Sequence, residues 1–222
     1  MQSEDASAAR LAEIARRLRA EYGAHPWQPS GEPLAELLET ILSQHTSDRN
    51  AERAFAALQG AFPDLSALAT AEPAAIVEAI RSAGLANQKG PRLKAVVAEI
   101  ARRRGDPDLD FLADLPLTEA MAWLESLPGV GPKTAACVLL FALGRPAFPV
   151  DTHIHRLARR LGLVDPRADA VQTQRRLSGE ILPDQVYQLH VDLITHGRRV
   201  CHARRPRHDR CVLRDLCPSA EI

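Results

Sequence analysis

A lysine and an aspartate, Lys133 and Asp151, flank the stretch of this chain whose residue types are best suited to chemistry. A Pro-Gly-Val-Gly turn at residues 128–131 precedes the lysine, and glycines so close together let a backbone bend sharply and approach another molecule. Pro132 favours the first position of a helix, and the free amides of a helix's first turn attract anions such as phosphate. An amine and a carboxylate delivered to a phosphate-binding turn are suited to attack on a sugar.

The lysine is informative because the chain has 25 Arg but only three Lys, at positions 89, 94 and 133. Arg cannot lose its proton to become a nucleophile, whereas Lys can. We therefore expect Lys133 to act as a neutral amine. A structural interpretation of each residue stays open, with a glycine of the turn as a helix C-cap, Asp151 as a helix N-cap and Lys133 as a surface cation.

Apolar residues at helical spacing predict the elements that must position this turn. Residues 118–126 and 132–143 are expected to form the helices on its two sides. The same spacing predicts further helices over residues 7–21, 34–42, 48–58, 64–69, 73–82 and 88–104. Because the sequence shows no strand pattern and no internal repeat, it predicts an all-α fold.

Three cysteines and a histidine near the C-terminus form a second candidate site. Their pattern is Cys-x6-His-x2-Cys-x5-Cys, made by Cys201, His208, Cys211 and Cys217. Four soft or borderline ligands within 17 residues indicate a metal or cluster site. The fourth cysteine, Cys137, is expected to be a buried apolar residue.

The same tail is rich in positive charge. Residues 198–214 hold seven Arg against a single acid, Asp209. A solvated arginine-rich surface is the simplest interpretation, but a loop fixed at both ends by ligands cannot relax and so keeps its cations presented.

Composition limits the other possibilities. The net charge is zero, so only a local patch could hold a nucleic acid, and 45% hydrophobic residues are ample for a core. No apolar run approaches the roughly 18 residues of a membrane span, and the N-terminus lacks a signal-peptide core. We expect a soluble, cytoplasmic protein with no membrane partner, in which cysteines ligate a metal or cluster and do not form disulfides.

The segments LPGVGPKTA and VDTHIHR, followed by the cysteine tail, resemble the helix-hairpin-helix Gly/Pro-Asp superfamily of DNA glycosylases, and endonuclease III within it. The resemblance runs from about residue 34 to residue 218. It implies two helical domains flanking a DNA-binding cleft. A six-helix bundle with the helix-hairpin-helix would span residues 28–145, and an iron–sulfur cluster domain would combine residues 1–27 with residues 146–222.

The resemblance also implies an activity, that of a bifunctional DNA glycosylase and abasic-site lyase. Lys133 would attack C1′ of a damaged nucleotide, Asp151 would stabilise positive charge on the sugar, and Glu125 would shuttle protons. The hairpin would hold the DNA backbone through Leu127, Gly129, Val130 and Gly131. The tail loop would meet the same backbone, and the candidates for its phosphate contacts, whose strength falls with salt, are Arg204, Arg205 and Arg207.

Two further residues of the family pattern would fill the gap left when the damaged nucleotide is flipped out of the stack. They correspond to His45, where endonuclease III usually has Gln, and to Leu85. The expected partner is double-stranded DNA containing damaged bases or abasic sites, bound by a monomer.

The tail departs from the family at one ligand. Endonuclease III has a cysteine where this chain has His208, and its four cysteines hold a [4Fe–4S] cluster. We expect a [4Fe–4S] cluster with His208 as an atypical fourth ligand, since imidazole can replace thiolate on iron. Zinc in a Cys3His site, a labile cluster, or a cluster held by three cysteines are the alternatives.

Two other functions stay open on sequence grounds. One is a monofunctional glycosylase of the same superfamily that removes a mismatched or alkylated base with Asp151 and water alone. The other is a non-catalytic DNA-binding or redox-sensing module. The presence of both Lys133 and Asp151 favours the bifunctional enzyme.

Overall fold

A computed structural model describes residues 2–220 of the chain, with side chains described from residue 8. The described residues form ten α-helices joined by turns and short 3-10 segments and contain no β-strand, which confirms the all-α prediction. The chain divides into two compact units, Gln28–Arg145 and the combination of Met1–Trp27 with Pro146–Ile222. None of the helices in the described part is both long and apolar enough to cross a membrane.

The combined terminal unit contains four of the helices. They are α1 (Gln2–Tyr22), α8 (Thr152–Arg160), α9 (Ala170–Ser178) and α10 (Val186–Arg199). Helix α10 packs against both α1 and α8, and the buried faces carry Leu11, Ile14, Leu18, Ile154, Leu157, Leu189 and Leu193. Between α10 and Ala220, where the described part ends, the helical structure is limited to three single 3-10 turns, at His208–Arg210, Arg214–Leu216 and Pro218–Ala220.

The central unit contains the other six helices. They are α2 (Pro33–Ser43), α3 (Asp48–Ala61), α4 (Pro73–Ala79), α5 (Ala86–Arg104), α6 (Leu117–Glu125) and α7 (Pro132–Cys137). Helix α2 packs against α3, α5 and α7. The core of this unit includes the fully buried side chains of Leu37, Leu38, Ile41, Leu42, Leu93, Val96, Val97 and Ile100.

Most predicted helices are present, with differences at their ends. The helix predicted over residues 73–82 ends at Ala79 and continues as a 3-10 turn, Arg81–Ala83. The helix predicted over residues 132–143 is α-helical only to Cys137 and then widens into a π-helical turn, Val138–Ala142. Every residue of that turn except Phe141 is buried, so packing has overridden the regular helical pattern there.

Candidate functional site

The turn between α6 and α7 is a tight hairpin held by its own residues. The Val130 amide donates to the Leu127 carbonyl at 3.2 Å, and both side chains are buried. Gly129 has a φ of 74°, a left-handed conformation that favours glycine. Pro132 occupies the start of α7, as expected for a residue with fixed φ and no N–H. The hairpin therefore exposes backbone while its apolar side chains anchor it.

A second constraint on Gly129 comes from helix α5. A Cβ atom at position 129 would lie 2.6 Å from Cδ of Arg92, far inside contact distance. Gly131 has no such neighbour within 4 Å and a φ of −103°. The two glycines that looked equivalent in the sequence thus have different roles, because only Gly129 is required by both backbone conformation and space.

Lys133 is the second residue of α7 and is half-buried. The next residue, Thr134, is buried, and its Oγ1 accepts a hydrogen bond from Gln44 Nε2 at 3.3 Å. Glu125 is the exposed last residue of α6, immediately before the hairpin. The central unit therefore carries the predicted amine and the predicted proton shuttle on either side of one turn.

Asp151 is the N-cap of α8 in the terminal unit. Its Oδ1 accepts a hydrogen bond from the Ile154 amide at 2.7 Å, and the residue is half-buried. Asp151 is thus a helix N-cap, as its structural interpretation expected. A carboxylate has about four lone-pair sites, so capping leaves acceptor capacity for a second role. Lys133 and Asp151 belong to different units, and their joint action stays a prediction.

His45 and Leu85 share an unusual backbone conformation. Among the described residues they are the only ones other than glycine with a positive φ, 54° and 52°. Such left-handed conformations cost about 1–3 kcal/mol each and persist where the surrounding structure enforces them, often at functional sites. Both side chains are exposed, and Leu85 exposes 49% of its surface. The structure thus presents an imidazole and an apolar side chain at two enforced loop tips.

The two loops that carry these residues lie side by side, and we call residues 43–47 and 83–86 the paired loops. A Cβ atom at Gly84 would stand 3.9 Å from Oγ1 of Thr46, which is van der Waals contact. One loop follows α2 and the other precedes α5. Adjacent tips are suited to enter one gap in a ligand together.

Helix α5 holds the paired loops through hydrogen bonds from two of its side chains. Lys89 is buried, and its Nζ donates to the carbonyls of Leu42, at 2.7 Å, and Ala83, at 2.9 Å. Arg92 donates from Nη1 to Gln44 Oε1 at 3.0 Å. The sequence analysis did not assign a role to these contacts, although the scarcity of lysine had already singled out position 89.

The four predicted ligands of the tail converge on one pocket. Cys201, His208, Cys211 and Cys217 all line one small pocket. Burial is the main reason that the pKa of Cys211 is raised, and the nearby sulfurs of Cys201 and Cys217 raise it further. Within the described residues, no three His, Cys, Asp or Glu side chains are arranged around a single metal-ion position. Three thiols and an imidazole around one pocket are a donor set that suits an iron–sulfur cluster.

A second histidine also lines this pocket. His196 Nε2 lies 3.4 Å from Cys211 Sγ, and Nδ1 lies 2.9 Å from the Tyr22 hydroxyl at the end of α1. Burial lowers the pKa of His196 to about 4, so the imidazole is neutral near pH 7. His196 lies on α10, outside the spacing pattern of the tail, and therefore carries no signal in the sequence.

The tail loop, which follows Cys201, is held by hydrogen bonds from an arginine of α8. Arg160 of α8 donates to the carbonyls of His202 and Ala203, both at 2.8 Å, and to Cys201 Sγ at 3.1 Å. The predicted phosphate-binding residues Arg204, Arg205 and Arg207 are all exposed on this loop. Their cations are therefore available to a ligand from solution.

Comparison with known proteins identifies the class. Residues 38–183 match the model of the HhH-GPD superfamily base excision DNA repair proteins, and residues 201–217 match that of the iron–sulfur binding domain of endonuclease III. The chain belongs to the HhH-GPD superfamily of base excision DNA repair glycosylases. Its tail is an iron–sulfur binding domain of the endonuclease III type.

Relatives within the superfamily include endonuclease III of Treponema pallidum, 36% identical over 88% of this chain and 90% of that protein. Endonuclease III of Sulfolobus acidocaldarius is 35% identical over 82% of this chain and 80% of that protein. A putative DNA glycosylase of Arabidopsis thaliana is 38% identical over 73% of this chain, but the match spans only 55% of that longer protein.

The fold agrees with these relatives. A solved structure of a non-covalent endonuclease III–DNA complex superposes with a TM-score of 0.82, at 24% identity, over 96% of each chain. A thermostable thymine-DNA glycosylase superposes with a TM-score of 0.80 at 17% identity, over 99% of each chain. One fold thus serves relatives that carry different names, so the chemistry must be argued from the site residues.

Proposed function

We propose that this protein is a bifunctional DNA glycosylase and abasic-site lyase that acts as a monomer on duplex DNA and removes oxidised pyrimidines. The observation that carries the proposal is the presence of a lysine, Lys133, in the first turn of the helix that follows the hairpin. Monofunctional glycosylases need only an acid and water, whereas a lyase needs an amine that can form an imine with the opened sugar.

The reaction begins with extrusion of the damaged nucleotide, because C1′ is inaccessible within the base stack. Exposed backbone of the hairpin holds the DNA backbone beside the lesion, through residues 127–131. The exposed arginines of the tail, Arg204, Arg205 and Arg207, add phosphate contacts. Leu85 enters the gap as an apolar wedge, and His45 faces the base left opposite.

The chemistry then uses three side chains. Neutral Lys133 attacks C1′ with its Nζ lone pair, the bond from C1′ to the base breaks, and the base departs with a proton. Asp151 stabilises the positive charge that develops on the sugar. One proton of Nζ passes through Glu125 to the departing base; the ring C–O bond then opens as O4′ takes up a proton from solvent, also through Glu125, and the protonated imine forms. Loss of a proton from C2′ then expels the 3′ phosphate, and water hydrolyses the imine to release the enzyme.

The tail serves binding and not this reaction. Cys201, Cys211 and Cys217 would hold a [4Fe–4S] cluster with His208 as the fourth ligand. When bound, the cluster ties the tail together and supplies a redox centre, whose potential a histidine ligand raises relative to four thiolates. In the protein itself, Arg160 fixes the loop that presents the arginines.

Borohydride trapping tests the proposal. A duplex with one oxidised pyrimidine or abasic site should become covalently attached to the wild-type protein when borohydride reduces the imine. Lys133→Gln should abolish attachment and leave DNA binding intact. Lys94→Gln is the matched control, because Lys94 lies on α5 and donates to the Ala71 carbonyl.

The outcomes separate the competing functions. Trapping that survives in Lys133→Gln would refute the role of Lys133. Base release without trapping by the wild-type protein would favour a monofunctional glycosylase that uses Asp151 and water. DNA binding without base release or strand cleavage on any lesion would favour a non-catalytic module.

A further inference from the structure

We propose that Lys89 is a positioning residue, which locks the paired loops, residues 43–47 and 83–86, in the conformation that fills the gap in the duplex. The proposal rests on the function proposed above, because it assigns a cause to the geometry of His45 and Leu85. The test gives one result if Lys89 does not position the paired loops and a different result if the protein is not a lyase.

The first argument is geometric. The Nζ atom of Lys89 bonds two carbonyls at once, that of Leu42 at 2.7 Å and that of Ala83 at 2.9 Å. Leu42 lies three residues before His45, and Ala83 lies two residues before Leu85. A single ammonium therefore fixes the points from which both loop tips depart, and it fixes them relative to each other.

The second argument concerns backbone strain. His45 and Leu85 are held in the left-handed region, which side chains other than glycine rarely adopt. Conformations of this kind relax unless the surrounding structure enforces them. The two carbonyls held by Lys89 belong to the last turns of α2 and of the 3-10 segment Arg81–Ala83, where carbonyls lose their helical partners. Without a donor at these carbonyls, the loops can relax into unstrained conformations.

The third argument is the residue type. Lys89 is 3% exposed, and none of the described carboxylates forms a salt bridge with it. Burial, followed by the charge of Arg92, lowers the pKa of Lys89, so the buried ammonium works against stability. The ammonium is a compact donor on a flexible stem, and its single nitrogen bonds both converging carbonyls. An apolar side chain would suit the core better, which favours a role beyond packing.

A neighbouring pair of hydrogen bonds connects the paired loops to α7, the helix that carries Lys133. Arg92, on the same helix, donates to Gln44 at 3.0 Å, and Gln44 donates to Thr134 at 3.3 Å. Thr134 follows Lys133 directly in α7. Helix α5 therefore holds the tip of the first paired loop in register with the helix of the proposed nucleophile.

The test compares two abasic substrates, a duplex and the same strand alone. A single strand leaves no gap to fill, so it needs Lys133 but not the paired loops. We expect Lys89→Met to reduce the borohydride-trapping rate on duplex DNA by about tenfold to a hundredfold, the scale of loss from small misplacements. Trapping of the single strand should stay within about twofold of wild type.

The controls make the result decisive. Lys94→Met removes a carbonyl-bonding lysine from the same helix, away from the paired loops, and should not change the ratio of duplex to single-strand rates. Leu85→Ala should change that ratio as Lys89→Met does, and the double variant should be no worse than either. If Lys89→Met does not fold, Lys89→Gln, which keeps a donor for one carbonyl, takes its place.

Two results would overturn the inference. Equal losses on both substrates would show that Lys89 serves only the stability of the fold. Additive losses in the double variant would show that Lys89 and Leu85 act independently. Absence of wild-type trapping on both substrates would instead refute the proposed lyase function on which the inference rests.

Discussion

The hairpin and the cysteine tail are both short, irregular segments, but they are stabilised in opposite ways. In the hairpin, Leu127 and Val130 bury their own side chains, and the turn closes through a hydrogen bond between them. In the tail, Arg10 and Arg17 of α1 donate to the carbonyls of Leu216 and Val212, and Arg160 of α8 donates to two more. Over residues 201–217 only Cys201 and Leu213 are buried.

This difference shows why the conformation of the hairpin can be predicted from its own sequence, whereas the conformation of the tail cannot. The hairpin depends on residues within a few positions of each other. The tail depends on donors up to 206 residues away, and on a cofactor that its spacing pattern only suggests. We therefore expect perturbations of the tail to act on the terminal unit and perturbations of the hairpin to act on the central unit.

The largest effect should follow removal of the iron–sulfur cluster. Chelation under oxidising conditions should raise amide hydrogen exchange in residues 198–217 by about a hundredfold or more, because the ligated metal supplies folding free energy. Exchange in residues 127–137 should not change. A brown, iron-containing protein is the starting material, and colourless protein with zinc would contradict the cluster assignment.

Arg160→Met should have the next largest effect. It leaves the carbonyls of His202, which is half-buried, and Ala203, which is exposed, without their donor, at about 0.5–1.5 kcal/mol for each lost hydrogen bond. We expect loss of iron and faster proteolysis in the tail. Arg159→Met is the control, since Arg159 is an exposed neighbour on the same helix. An unchanged proteolysis rate in Arg160→Met would show that the tail does not need this donor.

Gly129→Ala should destabilise the hairpin by about 1–3 kcal/mol, because the added Cβ meets Arg92 and the left-handed backbone disfavours alanine. Gly131→Ala, which meets no atom within 4 Å, should change stability by less than about 0.5 kcal/mol. Thermal unfolding of both variants provides the measurement. Equal losses would mean that the two glycines have the same structural role.

The smallest effect concerns the two ion pairs that Glu99 forms on α5, with Arg102 and with Arg103. The hydrogen bond from Arg102, and to a smaller extent the one from Arg103, lowers the pKa of Glu99 from 4.5 to about 2. A carboxylate with a lowered pKa stabilises the fold above pH 4.5 and loses that contribution as the pH falls toward 2. The stability difference between wild type and Glu99→Gln, measured by urea unfolding, should therefore shrink over this range. A difference that grows on acidification would reverse the assigned sign.

The sequence predicted the helices before residue 138 and the hairpin because these depend on local spacing and on Pro and Gly, but it assigned no helix to the segments that form α8, α9 and α10. It singled out Lys133 because lysine is scarce, but it gave no role to Lys89 or Lys94. The structure shows that both of these bond backbone carbonyls. The role of Lys133 as a nucleophilic amine stays a prediction.

Other features had no sequence signal. Nothing in a leucine or a histidine predicts a positive φ, so the enforced tips at Leu85 and His45 appear only in the folded chain. The π-helical turn at Val138–Ala142, most of which is buried, likewise has no signal in the helical spacing of the sequence. The place of His196 beside Cys211 depends on the approach of α10 to the tail, which spacing within the tail cannot reveal.

Mass spectrometry of the reduced protein–DNA adduct tests the central claim most directly. After borohydride reduction on abasic duplex DNA and digestion, we expect the sugar remnant on the peptide that contains Lys133, attached through Nζ. An adduct on the peptides of Lys89 or Lys94, or on the N-terminal amine, would contradict the assignment of Lys133 as the nucleophile.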